Sequence, residues 1–409
     1  MNKEKFIYVL LLTAIFNAVL RVSQESSWTL FRVLIPFVIL FLNAFNKKVF
    51  GLFTKYSLIL IVIAVLQNFI LKTWLYPHIH SISFSHLFSF CIHYISIFLV
   101  AALVYCLVLL YKGRFFIEII NHLSNIVKII LFVYVFYLFT GQQPADFRLF
   151  GNINDFGCVL NGSILIILFD SKTRRKYLYL ALILVLLFYN DSKLSLFGGI
   201  LEIGLYTIYD FSNRFIYAKK LFLYAFIGMG VLLILLFFTS SISINGYSVR
   251  DLFLIPYTQI SEGIYFPQSS ESYTYRTNSI IGITEIFKTT KGVGIGPGNT
   301  SLILKVLMPD PDGSLGEESV SSHIWWYEVM ADIGWLIIIP ALFMYINQLK
   351  NFIRLKSTRE ELFSQIYIIT FPLWSMSSSG LYTEFFTIIL LSLSIFIYRK
   401  HSVKTIIAK

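Results

Sequence analysis

The sequence predicts an all-α protein, a polytopic membrane helical bundle with one large extracytoplasmic loop. Residues of the set AVILMFWYC make up 57% of the 409 positions and charged residues only 13%, whereas soluble domains are about 45–50% apolar and about 25% charged. The apolar residues form blocks of roughly 15–25, the length at which a helix crosses a ~30 Å hydrocarbon layer. These runs do not alternate with polar residues, which argues against a barrel of strands.

The blocks predict about twelve transmembrane helices. The predicted spans cover residues 6–20, 28–43, 56–76, 87–111, 117–140, 156–170, 177–190, 194–210, 221–239, 324–346, 363–380 and 383–398. The chain thus divides into helices one to nine (1–240), a large extracytoplasmic loop (241–323), and helices ten to twelve with a cytoplasmic tail (324–409).

Lysine and arginine predict the orientation, because basic residues in short loops stay on the cytoplasmic side. With the N-terminus inside, the short outer loops hold only Arg21, Lys72, Arg148 and Lys193. We therefore expect both termini in the cytoplasm. The net charge of +11 then reflects topology and contact with anionic lipid, not nucleic-acid binding.

The large loop, 241–323, contains apolar stretches and is predicted to fold as a partly helical cap. Ile280, Ile283 and Phe287 recur at helical spacing and predict a helix over 276–290. Asn299 stands in an N-cap position before an apolar run and predicts a short interfacial helix.

The same loop contains the glycine-rich run GVGIGPG at 292–298. No Lys-Ser/Thr pair follows it and Pro297 interrupts a dinucleotide fingerprint, so nucleotide binding is not favoured. Two interpretations stay open. The run is a tight turn where backbone approaches another segment closely, or Gly294 and Gly296 contact an anionic substrate.

The order of several motifs resembles the O-antigen ligase and polymerase (Wzy-type) family. The family has an arginine at the start of a loop helix, a glycine-rich turn, and a histidine just before a helix with an acidic-x-Gly pattern. The matching pieces are Tyr275-Arg276, the run 292–299, Ser322-His323 and the segment 331–335; residues 148–157 are similar to the family's outer loop with a basic residue. The resemblance covers about Arg148 to Ile346, and only hydropathy matches the first five spans.

This resemblance implies a GT-C-like fold in the bacterial inner membrane and a polymerase activity. Undecaprenyl-pyrophosphate-linked oligosaccharide repeat units would be joined on the outer face into O-antigen or capsular polysaccharide, by inverting glycosyl transfer. Arg148, Lys193, Arg250 and Arg276 are candidate contacts of the departing pyrophosphate, and His323 is the candidate base. Arg276 and His323 are the predicted catalytic residues. The family often has Ser-Arg where this chain has Lys193, and lysine lacks arginine's bidentate fork.

Charged residues inside predicted spans also point to function, because burying charge in a membrane is costly. Glu328 and Asp332 lie four apart on one predicted helix face below His323, and would orient that histidine or bind the acceptor sugar. The alternative is a buried ion pair with Arg32 or Lys128. The four candidate cations could instead be interfacial anchors without a role in catalysis. His323 could instead belong to an aromatic belt at the membrane interface.

Other functions stay open beside the polymerase. An O-antigen ligase would move glycan to a lipid A core or another acceptor, and a flippase or transporter would show two similar halves. No metal or cofactor is expected, although Asp310-Pro-Asp312 comes closest to an Asp-x-Asp motif. The expected partners are the lipid-linked oligosaccharide and membrane lipid, with a flippase and a chain-length regulator as candidates, and no nucleic acid. The five histidines that include His93 and precede residue 123 are interpreted as structural.

Overall fold

Where the structure describes the chain, its regular structure is helical apart from one two-residue ladder that pairs β1 (Ser243–Ile244) with β2 (Tyr247–Ser248). The computed structural model describes residues 3–17, 20, 29–70, 73, 84–141, 153–190, 193–214, 243–244, 247–248, 272–300, 303–304, 325–354, 357–375 and 385–407. The prediction of a helical fold is confirmed at this level. The predicted span 221–239 lies outside these residues.

The helices overlap the predicted apolar blocks, although several begin or end up to nine residues from the predicted bounds. They are α1 (Lys3–Ile15), α2 (Leu30–Val33), α3 (Ile35–Phe45), α4 (Lys47–Ile70), α5 (Phe84–Tyr111), α6 (Phe115–Phe139), α7 (Ile153–Phe169), α8 (Lys176–Tyr189), α9 (Lys193–Arg214), α10 (Ser272–Thr289), α11 (Trp325–Ile333), α12 (Trp335–Ile353), α13 (Arg359–Trp374) and α14 (Phe385–Ile407). The helix predicted over 276–290 is confirmed as α10, and residues 299, 300, 303 and 304 are helical.

Three helical stretches of the described chain are long and apolar enough to cross a membrane: Lys47–Ile70, Cys91–Phe139 and Trp335–Ile353. The 3-10 turn Lys112–Arg114 divides the second stretch into α5 and α6. Large apolar side chains on these helices face away from the protein; Phe132 is 72% exposed and Phe139 86%. Such surface needs an apolar environment, so the chain is a membrane-associated helical protein, and the count of twelve spans stays a prediction.

Two predicted spans are each broken into two helices. The span 28–43 divides at Leu34 into α2 and α3, where Pro36 stands in the first turn of α3 and cannot donate a backbone hydrogen bond. The span 324–346 divides at Gly334, whose φ is +71°. That left-handed conformation ends α11 and starts α12.

Several helix ends that carry lysine and arginine contact one another at one end of the bundle, which is named here the basic end. Tyr111 donates to Glu4 over 2.7 Å, Lys400 lies 2.9 Å from Glu360, and Lys3 stacks over Phe45. The starts of α1, α4 and α13 therefore share this end with the ends of α5 and α14. The far end of α4 lies about 35 Å away, and it is named the Gly-turn end for the loop described below.

Asp170 joins α6 to the α7–α8 turn at the basic end. Its carboxylate accepts hydrogen bonds from Ser124 Oγ at 2.6 Å, from the Lys172 N–H at 2.8 Å and from Thr173 Oγ1, with Lys128 Nζ at 3.5 Å. Burial raises the pKa of Asp170, but these hydrogen bonds and the Lys128 charge together hold it below its ordinary value. The acidic partner of Lys128 is thus Asp170, not a residue of α11.

Candidate functional site

The glycine-rich run forms a turn that no other residue type adopts easily. Gly292, Gly294, Gly296 and Gly298 have φ values of +71°, +87°, +90° and +78°, in the region that L side chains disfavour. A Cβ on Gly294 would also lie 2.6 Å from the Asp332 carbonyl oxygen. We name residues 290–300 the Gly turn.

The Gly turn docks through its backbone against the break between α11 and α12. This break leaves the last carbonyl groups of α11 without helical partners, and the turn supplies N–H donors to them. The hydrogen bonds run from Ile295 N to Ala331 O at 3.0 Å, from Gly296 N to Asp332 O at 2.9 Å, and from Trp335 N to Gly292 O at 2.9 Å. Close backbone approach therefore accounts for the glycines, and the Gly296 N–H is already donated within the protein.

The Asp332 carboxylate fastens the same turn from the side. It is 1% exposed and accepts hydrogen bonds from Gly298 N at 2.8 Å, Thr300 N at 3.3 Å and Thr300 Oγ1 at 2.6 Å. Tyr94 of α5 donates its hydroxyl to the same carboxylate at 3.3 Å. Asp332 thus ties three segments together: the Gly turn, α11 and α5.

The end of α4 closes the other side of the turn. Gln67 donates its amide to the Val293 carbonyl at 2.7 Å, and Asn299 donates to Asn68 Oδ1 at 3.3 Å. The side-chain oxygens Gln67 Oε1 and Asn299 Oδ1 are buried and accept no hydrogen bond in the structure as described. Buried acceptors without a hydrogen bond are uncommon in folded proteins.

A buried cation contacts His93, the residue before Tyr94 on α5. Arg32 of α2 is 7% exposed, and its Nη2 lies 2.6 Å from Nδ1 of His93. His93 precedes Tyr94 on α5, so one helix contacts both Arg32 and Asp332. An arginine inside a membrane protein is costly unless it is paired or functional.

The structure brings some of the predicted site residues together. Gly294, Gly296 and Asp332 meet in the docked turn, and Glu328 is buried one turn earlier on α11. Arg276 lies on α10, which packs against α11, and Lys193 begins α9; only their backbone is described.

Three predicted site residues, Arg148, Arg250 and His323, lie outside the described residues. The roles assigned to all the site residues stay predictions.

Sequence reasoning did not single out Gln67, Tyr94 or Thr300, and it interpreted His93 as structural. The sequence did contain a signal for Gln67, because Gln67 and Asn68 are two adjacent polar residues at the end of a long apolar run. Tyr94 and Thr300 carry no such signal, because tyrosine and threonine are ordinary in apolar helices and turns.

In the described part of the chain, no group of three or more His, Cys, Asp or Glu side chains is arranged to hold a metal ion. No protein-family model, no curated protein and no solved structure matches this chain.

Proposed function

We propose that this protein is a membrane glycosyltransferase of the O-antigen polymerase type. It joins undecaprenyl-pyrophosphate-linked oligosaccharide repeat units on the outer face of the bacterial cytoplasmic membrane. One observation carries the proposal. Two pieces of the sequence resemblance, the run 292–299 and the segment 331–335, are far apart in sequence and form one hydrogen-bonded unit.

The distribution of charge supports an outer-face site. The basic end is the cytoplasmic side by the positive-inside rule, which sets the Gly turn toward the opposite face. Lys193 belongs to this opposite end as well, because α9 runs from it to Tyr209, whose hydroxyl donates to the Ser357 carbonyl at the basic end. In this topology the chain has twelve spans, and both termini are cytoplasmic.

The chemistry follows from the leaving group. A hydroxyl of one lipid-linked unit attacks the anomeric carbon of the other, and the carbon–oxygen bond to pyrophosphate breaks with inversion. Arg276, Arg148, Lys193 and Arg250 neutralise the departing pyrophosphate. His323 takes the proton from the attacking hydroxyl.

The docked turn has a positioning role in this proposal. Asp332, Gly294 and Gly296 hold α11 against the end of α4, and α11 begins two residues after His323. The amide nitrogens of Gln67 and Asn299 add hydrogen bonds to this support. Rigid support of this kind matters because small displacements of reacting groups cost large factors in rate.

The test uses a deletion strain complemented with the wild-type gene, Arg276→Ala or His323→Ala, with surface polysaccharide separated by length on a gel and protein expression checked. We expect single repeat units in the deletion strain, ladders with the wild type, and no ladders with either variant. Arg354→Ala is the matched control, because Arg354 is an exposed arginine at the end of α12 that leads to the basic end; it should restore ladders.

Other outcomes separate the alternatives. If the deletion strain attaches no repeat unit at all, the protein acts as a ligase or flippase and the polymerase proposal fails. If both variants restore full ladders, the assignment of Arg276 and His323 is wrong. Purified protein mixed with lipid-linked repeats extracted from the deletion strain should lengthen them without added nucleotide sugar.

A further inference from the structure

A second polar site lies at the basic end, far from the Gly turn. It is a cavity of about 460 Å³ between the α7–α8 turn, α9 and the start of α13. Its polar lining consists of Lys176, Arg359, Asp210, Tyr206, Tyr209 and Ser357. The volume exceeds that of several water molecules at ~30 Å³ each, so a small polar group fits inside.

The two cations of this cavity keep most of their hydrogen-bonding capacity. Arg359 Nη2 donates to the Phe169 carbonyl at 2.6 Å, and Lys176 Nζ donates to the Leu168 carbonyl at 3.3 Å. Both side chains thus cap the last turn of α7, where positive charge is favourable. A guanidinium has five N–H donors and an ammonium three, so each cation retains donors for a ligand.

The electrostatic balance of the cavity favours an anion. Lys176 and Arg359 lie close enough for their charges to repel, while Asp170 and Asp210 lie close enough to Lys176 to attract it. Asp170 also faces Lys128, and Asp210 is the one carboxylate among the described residues of the lining. The three cations Lys128, Lys176 and Arg359 thus exceed the two carboxylates by one charge. The hydroxyls of Tyr209 and Ser357 already donate within the protein, so the oxygens of a bound anion depend on the two cations, and these hydroxyls can accept hydrogen bonds from the rest of the ligand.

We propose that this cavity binds a phosphate ester at the basic end of the bundle, with the phosphate oxygens on Lys176 and Arg359. Phosphate carries more than one negative charge and several strong acceptor oxygens, and it pairs with arginine and lysine through charge-assisted hydrogen bonds. An anionic phospholipid head group and a soluble phosphate ester share this chemistry. The site is independent of the proposed glycosyl transfer.

Inorganic phosphate is the probe for the first experiment. The Tm of the purified full-length protein in a neutral detergent is measured against phosphate concentration at constant ionic strength set with chloride. We expect a saturable rise in Tm for the wild type. Lys176→Gln should raise the half-saturating concentration about five- to tenfold, because it removes one charge from a partly screened site.

Asp210→Asn gives a change of opposite sign, which misfolding cannot imitate. Removing this negative charge from the lining should lower the half-saturating concentration several-fold. Arg354→Gln, an exposed arginine outside the cavity, is the control and should titrate like the wild type. The proposal fails if phosphate produces no saturable shift, or if Lys176→Gln and Asp210→Asn both titrate like the wild type.

Nanodiscs distinguish the two sources of the phosphate ester. The same titration is carried out in phosphatidylcholine alone and in phosphatidylcholine mixed with phosphatidylglycerol. If phosphatidylglycerol suppresses the response in the wild type, a lipid head group occupies the cavity. If both compositions give the same half-saturation, the site takes a soluble phosphate ester.

Discussion

The two ends of the bundle each depend on a buried aspartate, but the two aspartates gather different parts of the chain. Asp170 at the basic end bonds to Lys172 and Thr173, two and three residues away, and to α6. Asp332 at the Gly-turn end bonds to groups 32, 34 and 238 residues away. The first joins a local turn to α6, and the second adds side-chain hydrogen bonds between segments that backbone hydrogen bonds also hold together.

This difference predicts unequal costs of mutation. Two of the four donors around Asp170, the Lys172 N–H and Lys128 Nζ, are only partly buried, so water can replace Asp170 as their partner. The donors around Asp332 are buried, and an unsatisfied buried donor costs about 1–3 kcal/mol. Removing the Asp332 carboxylate therefore measures how far the Gly turn depends on one side chain, and removing the Asp170 carboxylate gives the comparison.

The largest effect is expected for Asp332→Ala. It leaves the N–H groups of Gly298 and Thr300 and the hydroxyls of Thr300 and Tyr94 without their acceptor, so we expect a loss of about 3–5 kcal/mol, as for other broken buried polar networks. Thermal unfolding of the purified protein measures it, with the exposed Glu285→Ala as control. An unchanged Tm for Asp332→Ala would contradict the role of this carboxylate.

A smaller loss is expected for Gly334→Ala. The new Cβ would overlap the Gly292 carbonyl oxygen, and the positive φ adds strain, together about 1–3 kcal/mol or more. Gly51→Ala is the matched control, since a Cβ at Gly51 on α4 meets nothing within 4 Å and should stabilise the helix by up to about 1 kcal/mol. Equal Tm values for the two variants would show that the helix break needs no glycine.

The smallest effect is expected for Asp170→Asn, and it depends on pH. Because the folded-state pKa of Asp170 is lowered, its stabilisation is complete above the ordinary value of about 3.9 and is lost as pH falls through the folded-state pKa. We expect the variant to be about 1–2 kcal/mol less stable at neutral pH. Chemical unfolding at a series of pH values should show this gap closing in acid; a gap that widens in acid would refute the assignment.

The agreement between prediction and structure depends on how local the signal is. The predicted ends of α6, α7 and α8 agree with the structure within three residues, because a long apolar run decides a helix in a membrane by itself. The breaks at Leu34 and Gly334 were not predicted. An apolar run continues through both positions, and only the packing of the Gly turn against Gly334 gives the second break a cause.

The candidate site shows the same difference between local signals and long-range contacts. The sequence marked the glycine run, Glu328 and Asp332 as unusual, but it left open whether Asp332 pairs with a cation or binds a substrate. In the structure Asp332 instead accepts hydrogen bonds from N–H and hydroxyl groups of the Gly turn. Gln67 and Tyr94 join this set only because α4 and α5 pack beside it.

By itself the sequence determined the helical membrane class, the positions of most helices and the uneven distribution of lysine and arginine. Each of these follows from local composition, since burial in an apolar layer acts on every stretch of about twenty residues independently. The tertiary structure decided that the Gly turn closes on the α11–α12 break, and that Lys176 and Arg359 share a cavity. Those contacts join residues far apart in the chain, and no local pattern specifies which distant partner satisfies a backbone N–H or a buried charge.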